Sequence, residues 1–193
     1  MKRICIFCAS STGANPVFAE TARSMGAALA RQGHTLVYGG GNIGLMGVLA
    51  DAVLAGGSEV IGVIPEALVA KELAHNGLTD LRIVDSMHER KALMADLADA
   101  FLAMPGGFGT LDEFCEILTW AQLGLHRKPC GLLNANGFFD PFLEQIESAV
   151  REGFIREQHR DLILVEREPE PMLKRLGGAH PPDLHKWIDR DQT

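Results

Sequence analysis

The segment Pro105-Gly106-Gly107-Phe108-Gly109-Thr110 places three glycines and a hydroxyl between an apolar run, Ala100 to Met104, and a helical pattern starting near Leu111. Glycines at a helix N-terminus let successive backbone N–H groups converge on an anion, and the helix macrodipole adds favourable potential. The segment therefore reads as a phosphate cradle. It is not a Walker loop, because no G-x-x-x-x-G-K-[ST] occurs in the chain. Glu113 follows in the same helix and has two readings. Thr110-Leu111-Asp112-Glu113 fits the S/T-x-x-E capping box, in which the carboxylate only satisfies the helix's own amides. Its place one turn from an anion cradle gives the other reading: a carboxylate kept ionised by the positive helix end, suited to a base or a cation stabiliser.

Three further segments carry polar groups at the ends of apolar runs. Ser86-Met87-His88-Glu89-Arg90-Lys91 opens a helical pattern after Leu81 to Val84. Cations are mildly unfavourable at a helix N-terminus, so Arg90 and Lys91 there are most simply explained by a nearby anion, which Arg can grip bidentately. His88 and Glu89 do not start an H-E-x-x-H zinc motif, since position 92 is Ala92. Tyr38-Gly39-Gly40-Gly41-Asn42-Ile43-Gly44-Leu45-Met46-Gly47 satisfies the G-x-G-x-x-G fingerprint, a weak match alone. It follows the second apolar run rather than the first, and the acid expected at the end of the next run is replaced by Pro65. It reads as a nucleotide-facing turn, not an NAD site. Cys8-Ala9-Ser10-Ser11 offers hydroxyls that either contact a ribose or phosphate or shape a turn.

The elements that must position these residues alternate along the whole chain. Strand patterns cover Ile4 to Cys8, Thr35 to Tyr38, Val60 to Ile64, Leu81 to Val84, Ala100 to Met104, Gly131 to Leu133 and Leu162 to Val165. Helical patterns cover Pro16 to Gln32, Leu45 to Ala55, His88 to Leu97, Leu111 to Leu123 and Pro141 to Glu152. Near-continuous apolar strands between helices predict a single-domain, Rossmann-like, doubly wound α/β fold with a mostly parallel sheet and helices on both faces. All four polar segments then meet at the carboxyl edge of that sheet, where open α/β folds bind ligands. The domain is expected to span residues 1–176, with 177–193 a weakly ordered tail.

Composition narrows the ligand. The 193 residues carry 25 acidic and 18 basic side chains, a net charge of −7. That balance, without a local Lys/Arg run, argues against nucleic acid as a partner. No stretch approaches the roughly 20 apolar residues of a membrane span, and the N-terminal apolar run is too short for a signal-peptide core. A cytoplasmic enzyme without membrane contact is expected. Cys5 and Cys8 form a C-x-x-C, but within a strand positions three apart point to opposite faces. With no second such pair, neither a metal nor a redox site is expected. Cys5, Cys8, Cys115 and Cys130 all read as core or near-core residues.

The paired segments Ser86 to Lys91 and Pro105 to Glu113 resemble the Lonely Guy family of cytokinin riboside 5′-monophosphate phosphoribohydrolases. The Tyr38 to Gly47 turn and Thr119-Trp120-Ala121-Gln122-Leu123-Gly124 are similar to it as well, and the resemblance covers Lys2 to Glu166. One departure is Ala9, where relatives commonly have glycine. The resemblance implies hydrolysis of an N6-substituted adenosine monophosphate, or of AMP, to free base and ribose 5-phosphate. It implies Arg90 and Glu113 as the catalytic pair, no cofactor, and a homodimer. On that footing the amides of Gly106, Gly107, Gly109 and Thr110 hold the phosphate, with Lys91 in support. Gly40 and Gly41 admit the nucleotide to the backbone, and Ser10 contacts it. Relatives also carry the label lysine decarboxylase, but that chemistry requires a Schiff-base lysine for pyridoxal phosphate, for which the chain has no evident candidate. The rival reading is a non-catalytic carrier of a nucleotide or pterin cofactor.

Overall fold

A computed structural model describes residues 2–69, 73–180 and 182. Among these, seven strands form one parallel sheet: β1 (Arg3–Phe7), β2 (Thr35–Tyr38), β3 (Val60–Pro65), β4 (Asp80–Val84), β5 (Ala100–Ala103), β6 (Cys130–Leu133) and β7 (Ile163–Glu166). Their order is β4-β3-β2-β1-β5-β6-β7. The chain builds outward from β1 to β4, then returns to the other side of β1 to add β5, β6 and β7. That reversal makes the carboxyl ends of β1 and β5 the switch point of the sheet, where the covering helices diverge and leave a crevice.

The helices are α1 (Val17–Arg31), α2 (Gly44–Ala55), the single turn α3 (Glu66–Val69), α4 (Met87–Leu97), α5 (Phe108–Gln122), α6 (Asp140–Arg151), the single turn α7 (Glu157–Arg160) and α8 (Pro169–Gly177). The expected doubly wound architecture is the one observed. β1 shows why both faces are covered. Ile4, Ile6 and Cys8 enter a cluster with α1, α2 and α8, while Cys5 and Phe7 enter a second cluster with α4, α5 and α6. The thiols of Cys5 and Cys8 diverge as the period of two requires. Both are buried, as is Cys130, whose pKa burial pushes up to about 12. Cys115 departs from the expected core placement: it lies on the exposed side of α5.

Helix α8 was not expected. Its signal was Met172-Leu173 and Leu176, which at helical spacing fall on one face and are buried against α1 and β7. Prolines at its start and flanking charges masked that face. Gly177 closes this helix; of the predicted tail, residues 181 and 183–193 lie outside the described residues.

α2 is seated directly on the loop after β1. The Leu45 and Met46 N–H groups donate to the Ser11 and Ala9 carbonyls, each at 3.3 Å. Gly44 makes that approach possible: its φ is +63°, and a Cβ there would lie 2.2 Å from the Ser10 carbonyl carbon. Gly33, which closes α1, shares a positive φ of +66°, but a Cβ there meets nothing within 4 Å. Gly33→Ala is therefore expected to lower stability by about 1 kcal/mol from backbone strain alone. Gly44→Ala adds a backbone clash to that strain and should lower it by upwards of about 2 kcal/mol. Equal shifts in denaturant midpoint for the two variants would remove the packing role assigned to Gly44.

Candidate active site

A cavity of about 450 Å³ opens at the carboxyl ends of β1, β2, β3 and β5. Its floor is an ion pair. Arg90 Nη2 lies 3.1 Å from Glu113 Oε1, with both side chains about nine-tenths buried. The guanidinium is fixed from behind: Nε donates to the Val63 carbonyl at 3.2 Å, and Nη1 lies 3.8 Å from Met87 Sδ. Gly39 makes room for it, since a Cβ there would lie 2.0 Å from Nη2.

The backbone around Arg90 is ordered by a genuine N-cap. Ser86 Oγ accepts from the Glu89 N–H at 3.1 Å, and Glu89 Oε2 accepts from the Asp85 N–H at 3.0 Å. Glu89 is thus spent on starting α4. It places Arg90, four residues beyond Ser86, under the cavity rather than in solvent.

α5 begins earlier than its sequence pattern suggested. Its N-cap is Gly107 and its first turn is Phe108-Gly109-Thr110, with the Leu111 N–H donating to the Gly107 carbonyl at 3.1 Å. The amides of Phe108, Gly109 and Thr110 precede that first ladder bond and need an acceptor from outside the helix. A Cβ on Gly107 or Gly109 would meet nothing within 4 Å, so packing does not demand glycine there; the bare backbone leaves the amides uncovered toward the cavity. Gly106 serves differently. A Cβ there would sit 2.0 Å from Thr110 Oγ1, and the residue does not line the cavity.

This start removes the capping reading of Glu113. Thr110 lies inside the helix, and Glu113 is a turn beyond the amides a cap would serve. Glu113 Oε1 accepts no hydrogen bond: Arg90 is close enough for an ion pair but not aligned to donate. The sequence places this carboxylate near a helix end that favours its ionised form, and its burial is a second, opposing influence. Burial pushes its pKa up, and the nearby Arg90 opposes that rise without cancelling it. A buried carboxylate oxygen without a donor is the arrangement a ligand hydroxyl completes.

Of the other residues singled out by sequence, Ser10, Gly41, Gly107, Gly109 and Thr110 line the cavity beside Arg90 and Glu113. Lys91, Gly40 and Gly106 do not. Lys91 instead pairs with Asp112 and Glu116, at 3.1 and 3.2 Å. Burial works against its ammonium, but the hydrogen bonds to these carboxylates outweigh that and raise its pKa. The phosphate-facing placement of Lys91 is thereby corrected: two carboxylates on α5 already hold it. Gly40 adopts φ +72° and turns the chain, and its carbonyl accepts from the His75 N–H. Sequence reasoning missed the apolar wall, formed by Ile43, Met46, Leu68, Leu73 and Met87. Met46, Leu68 and Met87 lie on three different helices and Ile43 and Leu73 on loops, so no single periodicity reports the wall. Among the described residues no three His, Cys, Asp or Glu side chains gather to hold a metal ion, and no described lysine lines the cavity.

Comparison with known proteins identifies the family. A family model described as "Possible lysine decarboxylase" matches residues 46–176. The cytokinin riboside 5′-monophosphate phosphoribohydrolase of Rhodococcoides fascians is 51% identical over 88% of this chain and 86% of its own. The LOG enzyme of that name from Oryza sativa subsp. japonica is 52% identical over 84% and 67%, and LOG7 of Arabidopsis thaliana 46% over 93% and 83%. Among solved structures, the molybdenum cofactor binding protein of Rippkaea orientalis superposes with a TM-score of 0.70 at 20% identity, over 92% of this chain and 96% of that one. The molybdenum cofactor carrier protein of Chlamydomonas reinhardtii gives 0.67 at 18% identity, over 92% and 99%. At such identities these structures speak for the fold alone, whereas identity near one half over most of the chain speaks for descent. The chain belongs to the Lonely Guy family of cytokinin riboside 5′-monophosphate phosphoribohydrolases.

Proposed function

We infer that the chain hydrolyses the N-glycosidic bond of purine nucleoside 5′-monophosphates, releasing free base and ribose 5-phosphate. The observation that carries this reading is the buried Arg90–Glu113 pair set beside the open amides at the start of α5. The amides of Phe108, Gly109 and Thr110 receive the 5′-phosphate at the positive end of the helix. The ribose then lies over Glu113, whose Oε1 has no donor of its own. As the bond from C1′ to the base breaks, its electron pair leaves with the base and the sugar becomes oxocarbenium-like. The Glu113 carboxylate stabilises that cation and orients the water whose oxygen bonds to C1′; the base takes up a proton. Arg90 holds Glu113 in place and anchors the nucleotide.

Ile43, Met46, Leu68, Leu73 and Met87 favour an adenine with an apolar N6 substituent. The proposal includes a homodimer, supported by Phe108, 94% exposed at the cavity mouth, and by the exposed Met87 near it. It also includes a cytoplasmic location; no described helix is long and apolar enough to cross a membrane.

Chromatography of the products tests the reading directly. Free base should appear from AMP or isopentenyladenosine monophosphate and not from the matching nucleosides. Nucleotide binding without any base release would favour the carrier alternative instead.

Glu113→Gln should lower kcat by about 10³-fold or more, because it removes the charge opposed to the developing cation. The folded-state pKa of Glu113 lies above its unfolded value, so ionising it opposes folding. That contribution is unfavourable at neutral pH and is relieved as pH falls through the raised pKa. The Gln variant should consequently keep its melting temperature within a few degrees at neutral pH, roughly 1 kcal/mol. If the carboxylate is the active form, the acidic limb of kcat/KM sits above the ordinary carboxylate range, and activity falls below it. An acidic limb at the usual carboxylate position would contradict the burial argument.

Gly39→Ala tests Arg90 without touching it. A methyl group 2.0 Å from Nη2 must displace the guanidinium. The variant should lose about 10²-fold in kcat/KM, comparable to Arg90→Lys, which forfeits the fixed fork geometry. Near-normal turnover in both would remove Arg90 from the catalytic pair.

A further inference from the structure

We propose that His75 is a positioning residue: it clamps the strap of residues 73–77 onto the glycine turn, and so sets affinity for the base end of the nucleotide. The proposal rests on the nucleotide reading above. The strap supplies Leu73 to the cavity wall, beside Leu68 of α3, and leads to β4 through His75 and Gly77.

Backbone bonds zip this strap to the turn after β2. The Asn42 N–H donates to the Leu73 carbonyl at 2.8 Å, and the His75 N–H donates to the Gly40 carbonyl at 2.9 Å. Gly41 and Ala74 form an isolated antiparallel bridge between them. These bonds alone are a single rung outside any sheet, and a rung of that size is marginal in water. The His75 ring supplies what they lack. It is 7% exposed, and both of its nitrogens are engaged. The Gly77 N–H donates to Nδ1 at 3.0 Å, so the ring proton resides on Nε2, which donates to Asp51 Oδ1 on α2, also at 3.0 Å. The imidazole thereby ties the strap to a helix that is itself seated on the β1 loop. His75 touches neither the cavity nor Arg90 or Glu113; its effect passes through Leu73 two residues away.

The sheet order says which end of the ligand the strap faces. The phosphate cradle follows β5 and the strap follows β3, with β1 and β2 between them. Three interstrand spacings amount to about 14 Å. A nucleotide with its phosphate on α5 and its ribose over Glu113 therefore extends its base toward Leu68 and Leu73. Ribose 5-phosphate, which has no base, would not reach the strap.

That difference is the test. In His75→Ala, KM for AMP and isopentenyladenosine monophosphate should rise about tenfold or more while kcat stays within about twofold, the pattern of lost uniform binding. The inhibition constant of ribose 5-phosphate should not change. Asp51→Asn keeps an oxygen acceptor for Nε2–H and should behave as the unaltered protein. Asp51→Ala should reproduce His75→Ala, and the double variant should be no worse than either. Asp51 is 70% exposed at its side chain, so its replacement opens the clamp without opening the core, and the test stands even if His75→Ala folds poorly. An unchanged KM in Asp51→Ala overturns the proposal. So does a parallel weakening of ribose 5-phosphate, which would mean general loosening of the site. If the unaltered protein releases no base, the hydrolase reading fails by itself; calorimetric affinities for AMP and ribose 5-phosphate in the same variants then decide the role of His75.

Discussion

The rest of the site depends on a buried guanidinium meeting a buried carboxylate at the floor of the cavity. Removing two charges from water is costly, and their attraction alone rarely repays it unless other polar groups complete the arrangement. Arg90 is completed by the Val63 carbonyl and Met87 on one side. Glu113 is not completed, and its Oε1 stays without a donor. The imbalance falls on the partner that faces open space. Burial supplies the upward pressure on the Glu113 pKa, and the missing donor identifies the oxygen to which a sugar hydroxyl or a water would donate.

The same pair accounts for one glycine of the apparent nucleotide fingerprint, and neighbouring backbone accounts for two more in that turn. Gly39 is required by the position of the Arg90 guanidinium, and Gly44 by the carbonyl of Ser10. Gly47 is required by the Asn42 carbonyl, 2.4 Å from where its Cβ would be. Three glycines in the Tyr38 to Gly47 turn thus serve protein against protein. Gly107 and Gly109, by contrast, abut nothing within 4 Å. The two glycine-rich turns look alike in sequence and do opposite things: one closes gaps between elements, the other leaves backbone amides bare.

This contrast marks how far the sequence was legible. The strands and main helices could be read because a two-sided parallel sheet demands nearly continuous apolar runs, and β1 feeds alternate residues into two cores. Arg90, Glu113 and the α5 turn could be read from residue type at strand ends. Lys91 could not, because the residues that hold it, Asp112 and Glu116, are on another helix and only the tertiary fold brings them together. The two readings of Glu113 could be separated only by the fold. The start of α5 moved to Phe108, which turned an apparent capping box into an ordinary second turn and left the carboxylate free for chemistry. Leu73 and His75 were illegible because a strap without periodicity acquires meaning only through what it lies against, and Leu68 because a single helical turn is too short to show a period.

The charge balance follows from the same geometry. On the proposed reading a chain of net charge −7 recognises a phosphate although, among the described residues lining the cavity, Arg90 is the one cation, and Glu113 already faces it. Neutralising the anion with side chains would require more basic residues than the cavity presents. Backbone amides at the start of a helix remove that requirement, because their partial charges are fixed in direction and carry no counter-carboxylate. Lys91 held by Asp112 and Glu116 reinforces this division of labour. On the proposed reading the amides on α5 position the phosphate, and the one guanidinium at the floor holds the carboxylate that faces the sugar as its bond to the base breaks.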